Sequence, residues 1–213
     1  MPAIPIISAR CPMKLFMTPN SPYARKVRIV LAEKRIEFEQ VEVASLAALD
    51  SPVPEFNPLG KVPTLLLDYG TGLYDSAVIT DYLDKKTPVM HLIPQTKRID
   101  VKRWEALADG MCDAAVAVVM EYRRPAEKQD ETLIARQRLK VERGLQALTR
   151  DLAENKWCVG KAFSLADIAV GCTLAYINLR MPECNWAQQY PNLAALLEQL
   201  NQRKSFQDTQ PQP

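Results

Sequence analysis

Thr18-Pro19-Asn20-Ser21-Pro22-Tyr23-Ala24-Arg25-Lys26-Val27-Arg28 sets a cluster of turn formers directly before an apolar period. Tyr23, Val27, Val30 and Leu31 recur at helical spacing, with Ser21 at the N-cap and Pro22 at the first helical position, where an amide would be unpaired in any case. The spacing predicts a helix from Pro22 to Lys34. Upstream, Lys14 to Met17 reads as a short strand, preceded by a loose extension, Met1 to Pro12. Downstream, Glu37 to Val43 reads as a second strand with Phe38, Val41 and Val43 facing inward.

Working outward, Ala44 to Leu59 is less periodic and carries Pro52, Pro54 and Pro58; it reads as loop with room for a helical turn near Leu46 to Leu49. Thr64 to Leu67, a glycine turn at 68–72, and Leu73-Tyr74 read as a hairpin. Asp75 or Ser76 can cap a following helix whose stripe is Ile79, Tyr82 and Leu83. Strand, helix, strand, loop, strand, strand, helix suits a small mixed sheet covered by helices over 13–86. Pro88 and Pro94 mark 87–96 as a linker. From 97 to 206 the periodicity is helical throughout: long helices over Arg98 to Arg123 and Leu133 to Leu152, a third from Ser164, and another over Leu193 to Leu200. Ser164 and Asp167 form a capping box for the third. Thr209 to Pro213 is expected to fray.

Composition narrows the function classes. The 213 residues are 47% hydrophobic and 24% charged, with a net charge of +2, so no basic footprint for nucleic acid and no membrane span are expected. Arg25, Lys26 and Arg28 are the densest basic group; they read as the solvated face of a short helix, or as help for an anionic ligand. Five cysteines, an odd and widely spaced set, with one histidine, His91, suit neither a disulfide scaffold nor a metal site. The first residues show no secretory signal, which makes cytoplasm the expected compartment.

Three segments resemble the glutathione-site motifs of cytosolic glutathione S-transferases in order and spacing: Thr18 to Arg28, Asn57-Pro58-Leu59-Gly60-Lys61-Val62-Pro63, and Tyr74-Asp75-Ser76-Ala77-Val78-Ile79. The Ser164 to Asp167 cap resembles a motif of the same family's helical domain. Within the family the chain looks most like the small bacterial YibF-type proteins, including Ala106-Leu107-Ala108-Asp109-Gly110. The resemblance spans roughly residues 14 to 206 and implies a thioredoxin-like domain joined to an all-helical one. It implies that Ser21 faces the glutathione sulfur, that Val62 pairs its backbone with the cysteinyl part, and that Pro63 is a cis-proline. It also implies that Asp75 and Ser76 hold the gamma-glutamyl end, with Asp109 near the partner subunit's ligand. A homodimer acting in detoxification, with glutathione as cosubstrate and a small hydrophobic electrophile as second substrate, follows from the same resemblance.

The chemistry suits those residue types. Glutathione carries its own nucleophile, so a protein needs only to favour thiolate over thiol, and a hydroxyl at a helix start offers a charge-assisted hydrogen bond beside unpaired amides. A nucleophilic serine would need a base, and His91 has no evident triad partner. Ser21 could also be a plain cap, and Thr18 or Tyr23 could rival it at the sulfur. The absence of cysteine between Pro19 and Tyr23 disfavours mixed-disulfide chemistry there. Met111, Ala115, Met120, Tyr122 and Trp186 read as core or as wall for the second substrate. Other readings are a non-catalytic adaptor binding a protein partner, and a glutathione-dependent reductase or isomerase.

Overall fold

In the computed structural model, which describes residues 12–46, 48 and 50–212, β1 (Lys14–Met17) and β2 (Glu39–Glu42) run parallel, joined by α1 (Pro22–Glu33). The short α2 (Val53–Phe56) leads to β3 (Thr64–Leu66), which pairs antiparallel with β1, and β4 (Gly72–Leu73) closes the sheet in the order β2-β1-β3-β4. Then α3 (Ser76–Lys86) packs beside α1. Parallel β1 and β2 require a crossover, and α1 supplies it; the hairpin needs only the glycine turn. Residues 1–11 of the expected extension, and two of the four residues of the expected turn near Leu46 to Leu49, lie outside the described residues.

The second half is helical: α4 (Arg98–Tyr122), α5 (Glu131–Leu152), α6 (Leu165–Arg180), α7 (Trp186–Gln189), α8 (Pro191–Asn201) and α9 (Lys204–Gln207). At its centre stands α6, buried without a break from Leu165 to Leu174. A Cβ on Gly171 would come 2.7 Å from both Leu200 and Phe206, so only glycine lets α8 and α9 approach α6 this closely. The capping box forms, and the Asp167 carboxylate accepts from the amides of Ser164 at 2.8 Å and Cys158 at 2.7 Å. The bond from Cys158 ties the preceding loop to the helix start. Met111, Ala115 and Trp186 are buried in the core, while Met120 and Tyr122 are exposed near the end of α4. The first three are therefore core, not wall.

Two sequence expectations need correction. Arg25 and Lys26 are not a solvated face: they are 3% and 1% exposed, because acidic and carbonyl partners distant in sequence cover them. Nor does the tail fray as far as it is described, since Thr209 is buried and the Gln212 amide donates to Asn20 Oδ1 at 2.9 Å.

The segment expected to be a linker is clamped. Lys34 Nζ donates to the carbonyls of Asp84 at 2.8 Å, Thr87 at 2.9 Å and Met90 at 3.2 Å. The Asp84 carboxylate in turn receives the amides of Leu92 at 2.8 Å and Ile93 at 3.1 Å, and both of those side chains are buried.

Candidate functional site

Strand register decides where the site residues meet. Phe16 pairs with Thr64, and Leu65 pairs with Leu73. Continuing the first ladder by one residue sets Met17 opposite Pro63, and continuing the second by two sets Pro63 opposite Asp75. The turn after β1, the turn before β3 and the chain after β4 therefore share one end of the sheet, with neighbouring strands about 4.8 Å apart. Ser21, Val62, Pro63, Asp75 and Ser76 all belong to these three connections.

Each connection is held by local chemistry. Ser21 is the N-cap of α1: its Oγ accepts from the Ala24 amide at 3.2 Å, and its own amide donates to the Thr18 carbonyl at 3.1 Å. A hydroxyl that accepts from an amide still has its proton to give. No acidic side chain sits in the first turn of α1, so the positive end of the helix is not neutralised.

Around Val62, the buried Asn57 organises the turn. Its Nδ2 donates to the Lys61 carbonyl at 3.0 Å, and its Oδ1 accepts from the Leu59 amide at 3.1 Å. Thr64 Oγ1 donates to the same Lys61 carbonyl at 2.8 Å. The Val62–Pro63 bond is cis, with Pro63 buried and Val62 half-buried. Asp75 caps α3, accepting from the Ala77 amide at 3.0 Å. Ser76 is buried beside it and makes no side-chain hydrogen bond among the described residues.

Tyr23 and Asp109 lie off this row, at the seam between the two halves. The Tyr23 hydroxyl donates to the Asp113 carboxylate of α4. Burial first, then that bond, pushes the phenol's pKa well above its ordinary value, so its proton is committed. Asp109 accepts from Lys26 Nζ at 2.6 Å, and Glu105 accepts from the same ammonium at 2.9 Å. Burial works against the ammonium, but the two carboxylates outweigh it and raise the Lys26 pKa. The lysine stays charged, and α1 is bolted to α4. Glu105 also receives Thr80 Oγ1 of α3 at 3.2 Å, which brings three helices into one network. Sequence reading missed Glu105 and Asp113 and took Lys26 for part of a solvated face; the available signal was Glu105 and Asp109 at i, i+4 beside the apolar stripe of Trp104, Ala108 and Met111.

None of the described cysteines is poised as a nucleophile. Cys112, Cys158, Cys172 and Cys184 are free, and burial raises each thiol, that of Cys172 to about 11. Among the described residues no group of three or more His, Cys, Asp or Glu could hold a metal ion, and no helix is long and apolar enough to cross a membrane.

A row of a capped serine, a cis-proline turn and an acid-serine helix start is thus built on a four-stranded sheet beside a helical half. Comparison with known proteins gives the same assignment for both halves. Residues 20–86 match the glutathione S-transferase N-terminal domain model, and residues 131–199 match the C-terminal one. The chain belongs to the glutathione S-transferase family. It is 37% identical to the uncharacterized GST-like protein YibF of Escherichia coli K12, over 93% of this chain and 98% of that protein. A glutathione S-transferase from Methylobacillus flagellatus, solved with glutathione bound, is 57% identical with a TM-score of 0.91, covering 94% of this chain and all of the other. A glutathione transferase family member from Pseudomonas fluorescens Pf-5, also with bound glutathione, is 37% identical with a TM-score of 0.86 over 94% of this chain and all of the other. The transferase fold here is a thioredoxin-like sheet domain followed by an all-helical domain.

Proposed function

We propose that this transferase binds glutathione along the row at the end of the sheet and stabilises its thiolate for attack on a small electrophile. The observation that carries the reading is the Ser21 hydroxyl. It accepts from the Ala24 amide and keeps its proton free at the un-neutralised start of α1, whereas the rival Tyr23 directs its hydroxyl hydrogen to Asp113. In this reading the Val62 backbone pairs with the cysteinyl unit, with Pro63 setting the turn. Asp75 meets the ligand's ammonium, while Ser76 and the first amides of α3 receive its carboxylate. The relatives solved with glutathione support the ligand. Ser21 lowers the thiol pKa and is not itself modified; the proton leaves to solvent, and the sulfur lone pair forms the new bond as the electrophile's leaving group departs or its double bond opens.

Self-association is part of the proposal. Tyr69, Tyr74 and Val78 are exposed apolar side chains around β4 and the start of α3, and burying them against a second copy would remove them from water. Asp109 then lies near the partner's ligand, held by Lys26. A cytoplasmic setting completes the reading.

Ser21→Ala tests it. A charge-assisted hydrogen bond of ordinary strength corresponds to about one pKa unit or more, about 1.4 kcal/mol per unit. Thiolate absorbance of bound glutathione near neutral pH should fall about tenfold in the variant, while calorimetry finds affinity within about tenfold of wild type. Equal thiolate yield in the two proteins would reject the role given to Ser21. No glutathione binding by wild type would reject the enzyme reading as a whole.

A further inference from the structure

The chain's C-terminal residues run back along α1 toward the site. Arg28 Nη2 donates to the Asp208 carbonyl at 3.4 Å, Arg25 Nη2 to the Phe206 carbonyl at 3.2 Å, and Arg25 Nε to Thr209 Oγ1 at 3.4 Å. At the end of the run, the Gln212 amide donates to Asn20 Oδ1 at 2.9 Å. The anchors on the other side, Arg28, Arg25 and Asn20, descend α1 from its second turn to the residue before its N-cap. The contact around Arg25 is dry: Arg25 and Thr209 are 3% and 6% exposed, Phe206 is fully buried, and the guanidinium lies 5.4 Å from the centroid of the Phe206 ring. Buried hydrogen bonds from a cation hold more firmly than exposed ones.

The last contact falls on the residue next to Ser21. Asn20 lies inside the turn closed by the bond from the Ser21 amide to the Thr18 carbonyl, so fixing Asn20 limits the positions open to the serine hydroxyl. We propose that Asp208 to Gln212 form a strap that sets the Thr18 to Ser21 turn, and that Asn20 and Arg25 are positioning residues for the sulfur site. The inference rests on the reading of Ser21 given above. Arg25 acts as the anchor, docking the strap along α1. Asn20 is the point of delivery, where the strap's backbone meets the site turn. A donor held in place before the ligand arrives stabilises charge without reorganising at the moment of need.

The decisive comparison uses the backbone origin of the last bond. Gln212→Ala keeps the amide, Gln212→Pro removes it, and Asn20→Leu removes the acceptor. Hydrogen exchange of the Ser21 amide in the ligand-free protein, and thiolate absorbance of bound glutathione, are followed in full-length proteins. One exposed hydrogen bond corresponds to a factor of about two to ten. Gln212→Pro and Asn20→Leu should speed exchange of the Ser21 amide about fivefold and lower the thiolate fraction about threefold. Glutathione affinity should stay within about twofold and the melting temperature nearly unchanged, and Gln212→Ala should match wild type in every measurement. Wild-type exchange in Gln212→Pro and Asn20→Leu overturns the strap, as does a Gln212→Ala protein that behaves like Gln212→Pro. A wild-type protein whose bound glutathione is no more ionised than the free tripeptide overturns the Ser21 reading alone, because amide exchange decides the strap independently.

Discussion

Lys26→Met is expected to lower stability by about 3 kcal/mol and the melting temperature by about 6 to 12 °C. The lysine ammonium is 1% exposed and bonded to Glu105, which is 2% exposed, and to Asp109. Removing it takes one of two ammonium partners from the buried Glu105 and the ion-pair partner from Asp109, and the cost of such unpaired charge exceeds what the pair itself contributes. Lys102, which also pairs with Glu105 and is 27% exposed, offsets part of the loss and keeps the figure near the lower end of the usual range. Replacing Lys26 and Glu105 together by apolar residues should recover at least half. Urea unfolding of the single and double variants checks both statements, and a single-variant loss below about 1 kcal/mol would show that the network does not hold the seam.

Asp167→Ala should cost a similar amount, about 3 to 4 kcal/mol. Its carboxylate is fully buried and accepts from the amides of Cys158 and Ser164 and from Ser164 Oγ. Without it two buried amides have no acceptor, at about 1 to 3 kcal/mol each, and the helix start at the centre of the core loses its cap. Asp167→Asn retains one acceptor oxygen and should lose about half as much. The denaturation midpoints of the two variants rank them directly; equal midpoints would mean that the carboxylate is not what orders the loop.

Local pattern carried most of the fold. The N-cap serine and following proline located α1, the glycine turn located the hairpin, and the three- and four-residue spacings located α4 and α5. Each is a short-range signal, and each lies within one element. The candidate site row came from the family resemblance, because local chemistry reads its residues, which sit at element starts, only as caps and turn formers. What escaped was long-range pairing. Lys26 meets carboxylates 79 and 83 residues away, and Arg25 meets Thr209 184 residues away. Viewed within one helix, three basic residues look solvated, and viewed alone, a Thr-Gln-Pro-Gln tail looks loose. Only the packing of α1 against α4 and α9 reveals that Arg25, Lys26 and Thr209 make buried polar contacts.

The clamp at Lys34 and Asp84 bears on how such chains can be recombined. A hybrid spliced from two relatives between residues 87 and 93 takes at least the Ile93 segment of the clamp from one parent and its ammonium and carboxylate, Lys34 and Asp84, from the other. Any mismatch in the crossover strands a charge that water cannot reach. The permissive splice point lies after Pro94, where the first half carries its own fastening with it.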